Sequence, residues 1–391
     1  MDKTVVVTGM GVVSPLESGK GLEVFWAKML KGESMIKQVT SFNVEGYASR
    51  VAAEVDGFDT QERHPDRWIQ IAGFAFDTAL KDASLTIGNR IGLSLGTVLG
   101  GIVAGERHWG KVLDNTMPEP PSDYALSSGV NYLAENYGIN GPVITVSTAC
   151  ASGTDAIGIA YRKILLGKAD IMIAGGVDVL SKFAFSGFNT LQAMTRDKVR
   201  PFDKRRDGLA LGEGAAFLVL ENEDSALRRK VNIHGRILGY ASRGDAHHLT
   251  GPDREGKGLS EAIRVSMREA GLGPSQVDYI NAHGTGTVYN DAMETKAIKS
   301  VFGRDAYNIP INSIKAMIGH TFGAAGAIEA VVCLLAIRDG AIPPTINYKE
   351  MDPECDLDYV PNEVRRHRTK TAISLSAGFG GQDAAIVFGD A

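Results

Sequence analysis

Cysteine is scarce in this chain. Only Cys150, Cys333 and Cys355 occur among 391 residues, and their spacing makes neither a metal-binding pair nor a disulfide framework. A zinc module and a disulfide-stapled secreted domain are thereby excluded, and a reducing compartment such as the cytoplasm is expected. Long apolar runs are missing too. No stretch of about 18 consecutive apolar residues exists, so no membrane-spanning helix is expected. The short run Val5-Val6-Val7 lacks the length and cleavage site of a signal peptide. Basic blocks are short: Lys204-Arg205-Arg206 and Arg365-Arg366-His367-Arg368 are the longest, and the net charge is -5. Each reads as a solvated face or a local dock for an acidic partner, and no nucleic-acid partner is implied.

What is abundant is glycine, with 46 residues, well above the roughly 7% of average proteins. Tight turns and close backbone approaches follow. Apolar residues make up 44% and charged residues 22%, an ordinary globular balance. Strands are predicted at 3–8, 91–95, 143–147, 171–175 and 215–221, then at 234–241, 279–282, 309–312, 371–376 and 384–388. Helical segments are predicted at 151–166, 257–270, 292–301 and 323–338. The two series correspond in order. A strand, a glycine turn and a helix surround Cys150, and the same succession surrounds His320. The pattern implies an α/β fold built by internal duplication, with halves 1–225 and 226–391 meeting at a charged segment near 222–232. Long apolar strands with crossover helices imply sheets covered on both faces.

Three constellations carry chemistry. The first is Ser147-Thr148-Ala149-Cys150-Ala151-Ser152-Gly153. It places a cysteine where a helix begins, and a helix N-terminus favours a thiolate. The other reading is a buried structural cysteine. The second is Asn281-Ala282-His283-Gly284-Thr285-Gly286-Thr287, with the histidine at the C-terminal end of a strand, where α/β sheets bind ligands. Asp291 follows it and either orients a neighbour or caps the next helix. The third is Lys315-Ala316-Met317-Ile318-Gly319-His320. His320 near a helix start is expected to stay neutral. Lys315 is read either as a surface lysine or as the buried partner of Glu329. A fourth segment, Ser376-Ala377-Gly378-Phe379-Gly380-Gly381, suggests a tight loop beside a ligand. There the N–H groups of Phe379 and Cys150 would form a two-amide oxyanion site, unless Phe379 is simple core packing.

These motifs, with Arg200-Pro201-Phe202-Asp203 and Gly212-Glu213-Gly214, resemble the elongating β-ketoacyl–acyl-carrier-protein synthases, condensing enzymes of the Cys-His-His type. The resemblance runs over almost the whole chain. It implies a thiolase-like fold of αβαβα layers made of two pseudo-equivalent halves. It also implies decarboxylative Claisen condensation: an acyl group carried on Cys150, and a malonyl-carrier enolate stabilised by His283 and His320. Lys315 would fix His320, with Glu329 offsetting its charge, and His320→Ala would spare acylation. Thr285 and Thr287 would hold the pantetheine arm. Phe379, framed by Gly378 and Gly380, would be a gate. The implied partners are an acyl-carrier protein and a second subunit, in a homodimer or in a heterodimer with a related chain. No metal is implied, and no cofactor beyond the carrier's phosphopantetheine.

Departures bear on the substrate. Gln382-Asp383 stands after the glycine loop where housekeeping members usually carry Thr-Asn, and Tyr289-Asn290 replaces a commoner pattern. The stretch 61–80 is less basic than a carrier-docking helix leads one to expect, with Arg63 and Arg67 its only Lys or Arg residues and Lys81 just beyond it. A specialised polyketide or polyene synthase is therefore a credible variant of the reading. Among alternatives, a degradative thiolase needs a second reactive cysteine where Phe379 stands. The starter-type condensing enzymes use a Cys-His-Asn set. A non-catalytic chain-length partner lacks the nucleophile this chain retains.

Overall fold

The computed structural model describes residues 4–58, 66–88, 90–113 and 124–391. Arg63 lies outside them. All ten predicted strands are present, and they form one sheet. The first half supplies β1 (Val5–Val13), β2 (Ile91–Gly96), β3 (Val143–Val146), β4 (Ile171–Asp178) and β5 (Gly214–Asn222). The second supplies β6 (Gly235–Gly244), β7 (Tyr279–Asn281), β8 (Ile311–Asn312), β9 (Thr371–Gly378) and β10 (Gln382–Gly389).

The spatial order is β3-β2-β4-β5-β1-β6-β10-β9-β7-β8. Outward from the centre, each strand of one half therefore has its counterpart five strands later in the other. Strand directions repeat as well. β2 runs parallel to β3 and β4, as β7 does to β8 and β9. The inner strands β5 and β1, like β10 and β6, pair antiparallel. The halves join where Val5, Val6 and Val7 pair with Ile237, Arg236 and Gly235.

Because side chains alternate across a strand, both faces of each half-sheet must be covered. The helices that do so are α1 (Arg67–Asp82), α2 (Ser128–Tyr137), α3 (Ser152–Leu165), α4 (Lys257–Ala270), α5 (Val288–Phe302) and α6 (Ala325–Asp339). One core joins Ile157 and Ala160 of α3 to Val331 and Leu334 of α6, with Met172 of β4 and Ile386 of β10 on either side. A second packs Ile71 and Ala75 of α1 on Leu93, Ile173 and Phe217. A third packs Ile263 of α4 and Ile298 of α5 on Ile280, Ile373 and Val387. The layers thus run helix, sheet, helix, sheet, helix. Arg67 of α1 is turned to Glu213 at 2.6 Å and to the Val55 carbonyl at 2.5 Å.

The central pair of helices positions the site. α6 is buried from Ala325 to Ala336, as an all-apolar helix must be. It meets α3 at glycines. A Cβ at Gly153 would stand 2.5 Å from the Gly323 carbonyl oxygen, and one at Gly326 would collide with Thr154. Only with bare Cα atoms at these points can the two backbones approach this closely. Their N-terminal ends then lie side by side, and so do the turns carrying Cys150 and His320. His320 does not lead directly into the long helix. A one-turn helix, Lys315–Ile318, precedes it, and a tight turn, Phe322–Ala324, follows.

Candidate active site

Cys150 stands between the end of β3 and the start of α3 at Ser152. Ala149, just before it, is held at φ 50°, a left-handed conformation that costs a non-glycine residue on the order of 1 kcal/mol. Ser152 holds this turn: its hydroxyl accepts from Thr148 N–H at 2.9 Å and donates to the Ala149 carbonyl at 2.6 Å. The Thr148 hydroxyl donates to Asp155 at 2.6 Å. Cys150 is buried, with Sγ 3.0 Å from His320 Nε2. The N–H groups of Phe379 and of Cys150 itself favour its anion, as does Lys315, yet burial outweighs them and pushes the thiol up to about 11. The sequence-based expectation of a thiolate poised by the helix terminus is thus corrected. Desolvation disfavours the charged form, and the resting group is the thiol.

Lys315 is fully enclosed. Its ammonium reaches three acceptors: the His283 carbonyl at 2.5 Å, Glu329 Oε1 at 2.5 Å and His283 Nδ1 at 3.3 Å. An ammonium has three donors and no acceptor, so every proton is used. Lys315 therefore fixes His283, not His320 as expected from the sequence. His283 Nδ1 must accept, and its proton sits on Nε2. His320 is fixed differently. Its Nδ1 accepts from Phe322 N–H at 3.2 Å, which again leaves the proton on Nε2. The two rings meet edge to face with centroids 5.2 Å apart. Burial holds both far below the usual histidine range, and Lys315 adds to the effect. Both imidazoles are neutral, each with one N–H free of its anchoring partner. Burial also pushes Glu329 up to about 7 against the pull of Lys315.

Cys150, His283 and His320 each place a donor atom within 4.8 Å of the others, close enough to surround an ion. Their backing does not suit one. A metal-bound imidazole gives its far N–H to a carboxylate or carbonyl, whereas here each Nδ1 faces a donor and one of them faces a cation.

Carboxylates behind the histidine loop hold its backbone. Glu294 accepts from His283 N–H at 2.6 Å and Gly284 N–H at 2.8 Å. Asp291 accepts from Phe202 N–H at 2.7 Å and Gly286 N–H at 3.2 Å. Asp291 lies within the first turn of α5, whose cap position is Thr287, so it orients neighbours rather than capping. Glu294 escaped the sequence reading. The signal was its place three residues after Asp291, on the same helix face. Gly284 has φ 43°, and a Cβ there would lie 2.5 Å from Ser313 Cβ. The hydroxyls of Thr285 and Thr287 are 2.9 Å apart.

The glycine loop closes the other side. A Cβ on Gly378 would lie 3.0 Å from Cys150 N. The Phe379 ring stacks on Phe188 with centroids 5.4 Å apart. Phe188 meets Phe322 edge-on, and Phe322 stacks on His320, both at 5.8 Å. A cleft of about 420 Å³ is lined by Cys150, His283, His320, Thr285, Thr287 and Phe379, among others. Gly378 also lines it, whereas Gly380 is exposed at φ 78°. Lys315, Glu329 and Asp291 stand behind its walls.

Comparison with known proteins gives a consistent result. Residues 2–226 match the family model "Beta-ketoacyl synthase, N-terminal domain", and residues 234–349 match "Beta-ketoacyl synthase, C-terminal domain". The chain is 40% identical to the 3-oxoacyl-[acyl-carrier-protein] synthase 2 of Coxiella burnetii, covering 98% of each protein. It is 39% identical to the tetracenomycin polyketide synthase ketoacyl synthase alpha subunit of Streptomyces glaucescens, covering 99% of this chain and 97% of that one. Among solved structures it resembles the ishigamide ketosynthase/chain length factor, with TM-score 0.93, 36% identity and 100% of both chains covered. It also resembles the AntDE:AntF assembly, a type II PKS acyl-carrier protein in complex with its ketosynthase bound to the hexaketide, with TM-score 0.92, 34% identity and full coverage of both chains.

Proposed function

The chain belongs to the β-ketoacyl synthase family, and from that premise we propose that its cleft joins an acyl thioester on Cys150 to malonyl-acyl-carrier protein with loss of carbon dioxide. The observation that carries this is the Cys150 Sγ contact with His320 Nε2 at 3.0 Å, beside a second histidine whose proton is also fixed on Nε2. In the first half-reaction the cysteine sulfur attacks the carrier thioester. The carrier's thiolate leaves with the thiol proton, and the acyl group remains on Cys150. Covalent capture splits one hard step into two easier ones. The His320 N–H stabilises the sulfur anion as it forms, and the Phe379 and Cys150 N–H groups receive the carbonyl oxygen as it turns to oxyanion.

In the second half-reaction malonyl-carrier occupies the cleft. Its carbon–carboxylate bond breaks, the electron pair passes into the thioester as an enolate, and carbon dioxide leaves. The Nε2–H groups of His283 and His320 donate to that enolate oxygen. Neutral donors in a dry site need no reorganisation as charge develops. The enolate carbon then attacks the Cys150 thioester, the C–S bond breaks, the β-ketoacyl product leaves on the carrier, and the released Cys150 sulfur takes up one proton from water to return to the resting thiol. Electrons and atoms balance with no redox group or metal, so phosphopantetheine on the carrier is the only prosthetic group the reading uses. Lys315, Glu329, Asp291 and Glu294 position the histidines. Thr285 and Thr287 hold the pantetheine arm, and Phe379, between Gly378 and Gly380, gates the cleft.

The proposed partners are an acyl-carrier protein and a second subunit. β3 is an edge strand with Val143 exposed. Trp109, Tyr124, Leu126, Phe183 and Leu191 are also exposed. A heterodimer with a chain-length-factor partner is the second reading, supported by the ishigamide likeness. In it this chain is the catalytic subunit. The halves 1–225 and 226–391 are proposed as the duplicated units. A cytoplasmic site agrees with three free, buried cysteines; among the described residues no helix is long and apolar enough to cross a membrane.

Intact-mass and peptide mass spectrometry with a panel of acyl-carrier thioesters tests the reading. Acyl mass should appear on Cys150 and vanish in Cys150→Ala, and malonyl-carrier should then release carbon dioxide. Acylation that persists in Cys150→Ala would overturn it, and the panel reads the accepted chain lengths.

A further inference from the structure

One acid near Cys150 lies buried outside the cleft. Asp178 ends β4, is 1% exposed and has no basic partner among the described residues. Its two oxygens receive four hydrogen bonds. Oδ1 accepts from the Thr97 hydroxyl and the Leu99 N–H, both at 2.8 Å. Oδ2 accepts from the Val98 N–H at 2.9 Å and the Gly323 N–H at 2.7 Å. Burial pushes the carboxyl up to about 6 against these bonds, so at neutral pH it is ionised and accepts from all four.

Asp178 thereby joins two segments. Residues 97–99 follow β2, the parallel neighbour of β4. Gly323 lies in the tight turn Phe322–Ala324 that follows His320. Glycine lets this turn come close. A Cβ at Gly323 would stand 2.7 Å from Asp178 Oδ2 and 2.8 Å from Thr97 Cα, and one at Gly176 would stand 2.2 Å from the Gly323 carbonyl oxygen. Phe322 sits at φ 50°, a left-handed conformation that a bulky residue keeps only where its surroundings hold it. The Gly323 N–H bond ties the turn to the end of β4.

His320 is held in two separate ways. Its backbone is set by residues 210–212: its N–H donates to the Ala210 carbonyl at 2.7 Å, and its carbonyl accepts from Gly212 N–H at 2.9 Å. The proton on its ring is set by the turn, because Phe322 N–H at 3.2 Å leaves Nδ1 only the acceptor's role. Which nitrogen of a neutral imidazole carries the proton follows from the bond the other makes. An Nε2 without its proton cannot donate to a forming sulfur anion or to an enolate. Asp178 also disfavours the Cys150 thiolate through its charge, which makes that N–H the more necessary. We infer that Asp178 is a positioning residue for the condensation: by holding the Gly323 N–H it locks the turn whose Phe322 N–H keeps the His320 proton on Nε2. It fixes the proton and leaves the place of the ring to residues 210–212.

The catalytic consequence rests on the proposed reaction, but the primary test needs no turnover. Nitrogen-15 spectra of the full chain, labelled at its histidine rings and with His320 assigned by substitution, report which ring nitrogen carries the proton. In the native chain Nε2 alone should carry it. In Asp178→Ala both nitrogens should show intermediate shifts, the mark of mixed tautomers. Decarboxylation kcat should then fall about tenfold, less than the roughly 10²–10³ of losing a donor outright, while KM for malonyl-carrier stays within about twofold. Asp178→Asn is the conservative rescue. Turning its one oxygen toward Val98 and Gly323 strands only the Leu99 N–H, whereas the reverse flip strands two N–H groups, so this variant should keep the native tautomer. A native tautomer in Asp178→Ala would overturn the inference. Equal mixing in the Ala and Asn variants would trace the effect to lost charge and overturn it as well. Should Asp178→Ala fold poorly, Asp178→Ser, whose side chain is one atom shorter, should show the same mixing, and a native tautomer there would count against the proposal. Absent condensation in the native chain, with the tautomers as expected, would strike the enzymatic reading alone.

Discussion

Cys150 and His320 act as one unit at the residue scale, since Sγ and Nε2 stand 3.0 Å apart. The sequence reading expects His320→Ala to spare acylation. The contact argues otherwise. Without that N–H the forming thiolate loses its nearest donor, so both acylation and decarboxylation should slow. His283 stands against Lys315 instead, and His283→Ala should leave acylation within a few-fold while decarboxylation drops by about 10²–10³, the usual cost of one oxyanion donor. Rapid-quench acylation and carbon dioxide release, measured separately, check both. Lys315→Met poses another residue-scale question. It strands Glu329 in a pocket where it is 1% exposed, and breaking such a pair costs about 3–5 kcal/mol. Urea unfolding should show the larger loss at pH 8 and a smaller one at pH 5, because native Glu329, pushed up to about 7 with Lys315 beside it, is ionised and paired at pH 8 and already neutral in acid. Adding Glu329→Gln should restore much of it.

At the scale of elements, the α3–α6 contact decides whether the site exists. Gly326 faces Thr154 so closely that a methyl group collides with it. Thr154 also hydrogen-bonds Ser376, at the end of β9, at 2.8 Å. Gly326→Ala should therefore destabilise by about 1–3 kcal/mol, as overpacking does, and shift the turns of Cys150 and His320 together. Denaturant midpoints and acylation rates should fall in concert, and Thr154→Ala alongside, which removes the hydroxyl nearest the new methyl, should recover part of both. Unaltered values would mean the helices can slide apart without cost. The sequence marks these helices by their small residues. It does not reveal that the two helices pack on each other, since 170 residues separate Cys150 from His320.

At the scale of the whole molecule, many carboxyls are buried, and this sets the pH at which the fold is strongest. Glu17 and Glu329 are pushed up to about 7 and Glu294 to about 8, in each case chiefly by burial. In the unfolded chain these groups lose their protons near pH 4.5. Native protons are held longer, so stability is greatest in acid and is lost as pH rises through the native values. His283 and His320 act in the opposite sense. Their native values lie well below 6.5, so their share is lost as pH falls through 6.5. Between about pH 7.5 and 8 the histidines are mostly neutral in both states and the carboxyls dominate. Calorimetry should find the melting temperature falling across that window, as the unfolding free energy drops by up to about 1.4 kcal/mol per pH unit for each group still protonated in the native state. A rising melting temperature there would contradict the burial of these acids. The sequence by itself determined the ten strands, the repeat of one unit and the residue types at each turn, because β-branched runs, glycine junctions and apolar periodicity are local properties of the chain. Only the tertiary structure decided that Lys315 serves His283, that Cys150 rests as a thiol and that Asp291 with Glu294 anchors the histidine loop. Those outcomes depend on burial and on partners far along the chain, and neither is written in any local run of residues.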